Sequence, residues 1–321
     1  MSSVEDGSVS KLGHSAIAFL SAAQITPASF FETYRRSGTP VAITGMLKDL
    51  PNWNLDYLCQ QFGDRRFPIR RYGSERYQID KRYWHNMGSA VETHTLPFSE
   101  YAALLQDGTA KEQDLYLGKC SLKQTALADS KQFQSVETGL GLTAPVTDYN
   151  LWLGVGGHTT CLHCDAFDGI LIQLIGMKRI LLFPPQQLPN LYAFPISSHL
   201  WAGSKRRASY SQVYPEQPDF DSFPRFRAAL QQKSEVILNP GDVLFIPVGW
   251  WHEVISVGEG VVCSVNRFWS VLPRSRALHS WNKWRIHLGS VLSVPHLLWT
   301  GLPSLLRPTR LIELNQFWQK L

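Results

Sequence analysis

The sequence predicts a mainly β protein, a sandwich or barrel of short strands with helices around it, and three observations carry that expectation. Between residues 150 and 266, short apolar runs at 170–175, 180–183, 236–238, 243–246 and 261–265 are separated by Gly, Pro and Asp turns. That is the texture of strands crossing a layered core. Before this region helical and strand patterns alternate, and after Leu272 the strand texture gives way to helical spacing.

In chain order, residues 1–13 are polar and read as a flexible leader. Thr26-Pro27 is a helix start, a capping side chain followed by proline at the first helical position, with Gly38 as the stop. Residues 40–45 form a strand candidate, 54–62 a helix ended by Gly63, 67–72 a strand, 98–106 a helix closed by Asp107-Gly108, and 114–117 a strand. The segment 188–232 is polar and proline-rich with a short helix at 223–231, and inserts of this kind often carry recognition. Residues 274–288 and 307–320 read as helices joined by a Pro/Gly-containing connector. Leu278, Trp281, Trp284, Leu311, Leu314 and Trp318 give them apolar surface either to form a homodimer or to pack on their own chain. The expected organisation is a leader over 1–13, one domain over 14–272 and a C-terminal helical extension over 273–321.

A chain of 321 residues with 44% hydrophobic and 18% charged residues has the composition of a globular protein with a substantial core. The net charge of +5 permits an acidic partner or RNA without demanding one. The five cysteines are odd in number and irregular in spacing, which argues against a disulfide framework and for a reducing compartment. The N-terminus lacks the apolar segment of a signal peptide. Pro295, His296 and Pro303 interrupt the apolar stretch 288–306, short of the roughly 20 unbroken residues a membrane span needs. A cytoplasmic protein with no membrane partner is expected.

The candidate chemistry centres on His163-Cys164-Asp165. On a strand, residues two apart share a face, so an imidazole and a carboxylate would project together. A third candidate, His252, follows Gly241-Asp242, an apolar run, Pro247 and Trp250-Trp251, read as a tight turn feeding a buried strand with the histidine at its inner end. A buried histidine needs a partner, and a metal supplies one. Two histidines and a carboxylate form the facial triad of non-haem Fe(II) oxygenases; the alternative is a core histidine satisfied by a backbone carbonyl. Lys178, before Ile-Leu-Leu-Phe, is either a solvated turn lysine or a buried cation in need of an anion. Cys161 and Cys164 form a CxxC, but residues three apart on a strand face opposite ways and no second pair completes a zinc site. Lys205-Arg206-Arg207 is a solvated loop or a cluster that steers an acidic peptide or RNA phosphate.

The ordered set Thr160, His163, Asp165, Lys178, Phe183-Pro-Pro, Gly241-Asp-Val-Leu-Phe-Ile-Pro, Trp251-His252 and Asn266 resembles the JmjC/cupin-like 2-oxoglutarate oxygenases. Within that family it resembles the branch of the asparaginyl hydroxylase factor inhibiting hypoxia-inducible factor and the tRNA wybutosine hydroxylase. The resemblance covers residues 40–269 and is densest after Leu151. It implies a double-stranded β-helix (jelly-roll, cupin-like) core, with His163, Asp165 and His252 holding Fe(II). It also implies that Lys178 pairs with the distal carboxylate of 2-oxoglutarate, that Thr160 and Tyr116 hydrogen-bond that carboxylate, and that Asn266 lies near the metal end. Thr160 is three residues before His163, so a bend or bulge is required to bring both to one face. The family pattern has asparagine at the fourth residue after the metal Asp, where this chain has Gly169. The implied reaction consumes O2 and 2-oxoglutarate, releases succinate and CO2, and hydroxylates a C–H bond. Trp152, Trp250, Trp251 and Trp269 are candidates for an apolar wall around it or for core packing. A protein or peptide side chain is the first expected substrate, a modified tRNA nucleoside the second, and a non-catalytic cupin-like interaction protein the third reading.

Overall fold

The protein is described by a computed structural model over residues 17–47, 53–84, 91–205 and 207–305. Among the described residues the strands are β1 (Ala18–Ser21), β2 (Val41–Thr44), β3 (Arg66–Arg71), β4 (Glu92–Pro97), β5 (Leu115–Ser121), β6 (Asn150–Val155), β7 (Thr159–Cys164), β8 (Asp168–Ile175), β9 (Met177–Phe183), β10 (Ser234–Leu238), β11 (Val243–Ile246), β12 (Trp251–Val257) and β13 (Val261–Trp269). They form a nine-stranded sheet in the order β1-β2-β11-β8-β13-β6-β5-β3-β4 and a four-stranded sheet in the order β10-β9-β12-β7. The sheets face each other as the expected jelly-roll, with helices around it and a C-terminal helical segment.

Alternation along the strands decides what faces what. Leu117, Leu151, Leu153, Ile170, Ile172, Val243, Phe245 and Val265 turn outward from the large sheet. They pack beneath helices at Leu55–Phe62, Phe98–Gln106 and Lys131–Gly139 through Leu58, Phe62, Phe98, Tyr101 and Phe133. The intervening residues turn inward. Leu171, Leu244 and Ile246 meet Ile180, Leu182, Val236, Leu238 and Val254 of the small sheet, closing one end of the sandwich with hydrocarbon. The remaining inward positions are polar: Tyr116, Thr160, His163, Lys178, His252, Ser264 and Asn266. The outer face of the small sheet is covered by the insert, where Leu162, Leu181, Phe183 and Trp251 pack on Leu191, Val213, Phe223 and Phe226.

Most expected elements sit within a residue or two of the sequence reading, as with the helix capped by Asn54, whose Oδ1 accepts from Tyr57 N at 2.8 Å. The helix from Thr26 is α only over Pro27–Ser29 and continues in wider π turns over Phe30–Arg35. The insert helix is shorter than expected, Phe226–Leu230. The largest difference is C-terminal. Residues 274–288 are not one helix: Arg274–His279 ends at Ser280, whose backbone is extended, and a second helix, Trp281–Leu305, runs straight through the expected connector. An internal proline forfeits one backbone hydrogen bond. Here that local loss is outweighed by packing, since Asn282 and Ser293 are buried and Gly289 lies against His199. No described helix is long and apolar enough to cross a membrane. The leader 1–13 and the helix at 307–320, with Leu311, Leu314 and Trp318, lie outside the described residues, as does Arg206.

Candidate metal and co-substrate site

His163 and His252 meet because β7 and β12 are antiparallel neighbours in which these two residues stand directly opposite each other. Their rings are 4.3 Å apart, centre to centre. Each Nδ1 donates to the carbonyl two residues back, His163 to Cys161 O at 2.9 Å and His252 to Trp250 O at 3.1 Å. That fixes the ring orientation and leaves Nε2 as the free donor, the tautomer a metal requires. Burial, and then the neighbouring His252, lower the His163 imidazole pKa to about 4, so at neutral pH its lone pair is available. The Asp165 Oδ2 lies 3.5 Å from His252 Nε2. The three donor atoms all fall within 4.8 Å of one another, the spacing of a shared ion.

Two expectations about these residues need correction. Asp165 is not on the strand with His163: β7 ends at Cys164, and the carboxylate comes from the following turn, where Gly249 N donates to Asp165 O at 3.0 Å. His252 is not at the end of the strand that Gly241-Asp242 feeds. That strand, β11, stops at Ile246, Pro247 supplies no donor, and Gly249 at φ +77° turns the chain into the other sheet, where His252 is the second residue of β12.

The bulge that Thr160 requires is present. Against β12, His163 pairs with His252 but Thr160 pairs with Val254, so β7 carries one extra residue between them. The extra residue strips the ladder from Leu162 N, which donates instead to the buried Glu253 Oε2 at 3.0 Å. Burial pushes the Glu253 carboxyl up to about 7. With the bulge Thr160 faces inward toward the Tyr116 phenol across the sandwich, and burial raises that phenol well above its ordinary range. The Tyr116 ring stacks on His158 at 3.6 Å, and His158 Nδ1 is 2.7 Å from Asp114 Oδ1.

Lys178 is buried, 2% exposed, and donates to Ser264 Oγ at 2.6 Å, again from one sheet to the other. Among the described residues no carboxylate lies within ion-pair distance of it. Desolvation draws its ammonium down to about 8. A cation held this way in the interior fits an anionic guest, and the donor set of His163, Asp165 and His252 fits a divalent metal. The residues present therefore suit both Fe(II) and 2-oxoglutarate.

Asn266 accepts from Trp152 Nε1 at 2.9 Å, and Trp152 tilts against Tyr116 at 6.3 Å. Gly169 has a packing reason: a Cβ there would stand 2.9 Å from Phe268 Cε1, so Phe268 occupies the space where the family pattern carries asparagine. Of the four tryptophans, Trp251 and Trp269 belong to the core and Trp250 donates to Gly38 O at 2.8 Å, leaving Trp152 beside the site. The cysteines of the CxxC point into different clusters, Cys161 with Trp84 and Phe194, Cys164 with Leu162 and Trp251. Residues that sequence reasoning missed include Tyr210, whose ring stacks on His163 at 5.2 Å, together with Ser264, the His158–Asp114 pair and Asp168. None carries a local signal, because each acquires its place through strand pairing or loop packing.

Comparison with known proteins agrees with this geometry. Residues 27–275 match the model of the cupin-like domain. The chain is 33% identical over 181 residues to JmjC domain-containing protein F of Dictyostelium discoideum, covering 54% of this chain and 36% of that protein. It is 38% identical over 247 residues to Lysine-specific demethylase 8 of Xenopus tropicalis (75% of this chain, 50% of that one). It is 29% identical over 252 residues to tRNA wybutosine-synthesizing protein 5 of Gallus gallus (73% and 71%). The chain thus spans about half or less of the length of the first two. With the double-stranded β-helix, a His-Asp-His cluster spaced to hold an ion and this similarity over most of its length, the chain belongs to the cupin-like domain family, with JmjC domain proteins among its relatives.

Proposed function

We propose that the protein is an Fe(II)- and 2-oxoglutarate-dependent dioxygenase that hydroxylates a protein or peptide side chain, with His163, Asp165 and His252 as the metal ligands. The observation that carries this reading is the direct pairing of His163 with His252, with the buried Lys178 on the neighbouring strand β9 having no carboxylate partner among the described residues. Bound Fe(II) and 2-oxoglutarate supply the oxidative chemistry, consuming O2 and releasing succinate and CO2 as one oxygen enters a C–H bond. The chain's own residues do the rest. Lys178 pairs with the distal carboxylate, and Thr160 and Tyr116 hydrogen-bond it from either side. Asn266, through Trp152, bounds the metal end. The hydrocarbon layer around Ile180, Leu182 and Leu244 excludes water from the closed end of the sandwich.

The domain is assigned to residues 14–272 with 273–321 as its helical extension. The exposed Leu278, Trp281, Trp284 and Trp299 support a homodimer through these helices, and light scattering of Trp281→Glu/Trp299→Glu, expected to be monomeric, tests it. All five cysteines are free thiols, which supports a cytoplasmic setting. Coverage of 71% of the Gallus gallus protein supports a second reading, a modified tRNA nucleoside as substrate.

The test is incubation of the protein with host lysate, Fe(II) and 2-oxoglutarate, followed by a mass search for peptides and nucleosides that gain one oxygen. Oxygenated peptides are expected. Oxygenated nucleosides alone would replace the first reading by the second. Co-substrate turnover that survives His163→Ala would remove the metal assignment.

A further inference from the structure

The turn that carries Asp165 and the turn that leads to His252 are tied to each other and then to the C-terminal helices. Within the pair of turns, Gly249 N donates to Asp165 O at 3.0 Å and Val248 N donates to Asp168 Oδ1 at 3.0 Å. Asp168, the first residue of β8, is 1% exposed. Both of its oxygens are taken by Arg276 of the helix Arg274–His279, Nη2 to Oδ1 and Nη1 to Oδ2, each at 3.1 Å. The buried Arg35 adds its Nε at 3.7 Å from Oδ2. A bidentate guanidinium fixes a carboxylate in plane as well as in distance. The excess positive charge is met by carbonyls, Arg35 Nη2 donating to Ser270 O at 2.9 Å and Arg276 Nη1 to Leu272 O at 3.0 Å.

The second tie comes from the next helix. Asn282, 3% exposed, donates through Nδ2 to Gly249 O at 2.8 Å. Gly249 is thereby held at both ends of its peptide, N–H to the Asp165 turn and C=O to the helix Trp281–Leu305. It is also confined sterically, since a Cβ would stand 3.1 Å from Ser280 Oγ and 3.2 Å from Asn282 Cβ.

Resting on the iron reading of His163, Asp165 and His252, we propose that Arg276 and Asn282 are positioning residues for the metal centre. They act through Asp168 and Gly249 on the two turns that set Asp165 and His252, so the helical extension is a working part of the site. Asp165 sits in a turn, and His252 is the second residue of the strand that the other turn feeds, and turns are where a sandwich by itself fixes position least.

The test uses the full-length chain and Co(II) alone as probe, under anaerobic conditions, reading both the dissociation constant and the visible ligand-field band. The proteins compared are wild type, Arg276→Met, Arg276→Lys, Asn282→Ala, His163→Ala and a remote core control, Leu58→Ala. Asn282→Ala is expected to weaken Co(II) binding by about 10-fold and Arg276→Met by up to about 100-fold with an altered band, the range for outer partners of metal ligands. Arg276→Lys should recover part of the loss, and Leu58→Ala, destabilised but remote, should bind as wild type. If Arg276→Met does not fold, Asn282→Ala against Leu58→Ala carries the comparison. Wild-type affinity and band in folded Asn282→Ala and Arg276→Met, with binding lost in His163→Ala, overturns this inference alone. A wild type that takes up no Co(II), or a His163→Ala that takes up as much, overturns the iron reading and this inference with it.

Discussion

Replacing Lys178 by methionine should make the empty protein more stable and the co-substrate bind worse. The ammonium falls from 10.5 to about 8 on burial, and at ~1.4 kcal/mol per pH unit that is about 3 kcal/mol spent keeping the group charged in the fold. Methionine removes the charge while keeping most of the volume. It also leaves Ser264 Oγ, now bonded at 2.6 Å, without its donor, a loss of roughly 1–2 kcal/mol for a buried hydroxyl. The net expectation is a gain of about 1–2 kcal/mol at pH 7. The sign fixes its pH dependence. The folded pKa lies below the unfolded one, so between about 8 and 10.5 the unfolded chain binds more protons and wild-type stability rises with pH. The advantage of Lys178→Met is therefore full below pH 8, is cancelled near pH 9, and becomes a deficit of roughly 1–2 kcal/mol as pH reaches 10.5, where only the lost bond to Ser264 still counts. Denaturant unfolding of both proteins at pH 7 and at pH 10 measures it. Binding should move the other way: loss of a charge-assisted hydrogen bond worth roughly 1.5–3 kcal/mol raises the 2-oxoglutarate Kd by about 10- to 150-fold, read by anaerobic titration of the Fe(II) protein. A variant less stable than wild type at pH 7, or one that binds 2-oxoglutarate equally well, refutes the account of Lys178 as a cation stored for an anionic guest.

Three further outcomes follow from the same geometry. His163→Ala removes one of the three proposed metal ligands and should abolish succinate release with 2-oxoglutarate and Fe(II), and chelation of wild type should abolish it until Fe(II) is added back. Tyr116→Phe deletes the hydroxyl that meets Thr160 and should raise the 2-oxoglutarate Kd by about 5- to 10-fold, about 1 kcal/mol, with the fold unchanged by circular dichroism. Gly249→Ala places a Cβ at φ +77° against Ser280 and Asn282 and should lower stability by about 1–2 kcal/mol in urea unfolding.

Legible in the chain alone were the class of core, the three residues His163, Asp165 and His252 that come together, and one misplaced lysine. Those signals are local: apolar runs of strand length cut by Gly and Pro, His and Asp in close spacing, and a cation in front of Ile-Leu-Leu-Phe. Even the bulge between Thr160 and His163 followed from counting parity, because side chains on a strand alternate and two residues of opposite parity share a face only if one extra residue intervenes. The exposed edge strand β4 and the short β1 escaped, since a strand held by one neighbour needs no apolar alternation. The sequence also pointed to proline as a breaker at 295, where the face packed on His199 keeps the helix going.

How these residues converge is a matter of the fold. That His163 stands opposite His252 is a matter of register between strands far apart in the chain. Asp165 comes from a turn, and its place depends on Gly249, Asp168, Arg276 and Asn282, four residues whose partners lie from 33 to 108 positions away in the chain where they reach the C-terminal helices. The physical reason is that burial removes water as a partner. Each inward polar group must then be satisfied by whatever the fold brings beside it, which no stretch of sequence specifies alone.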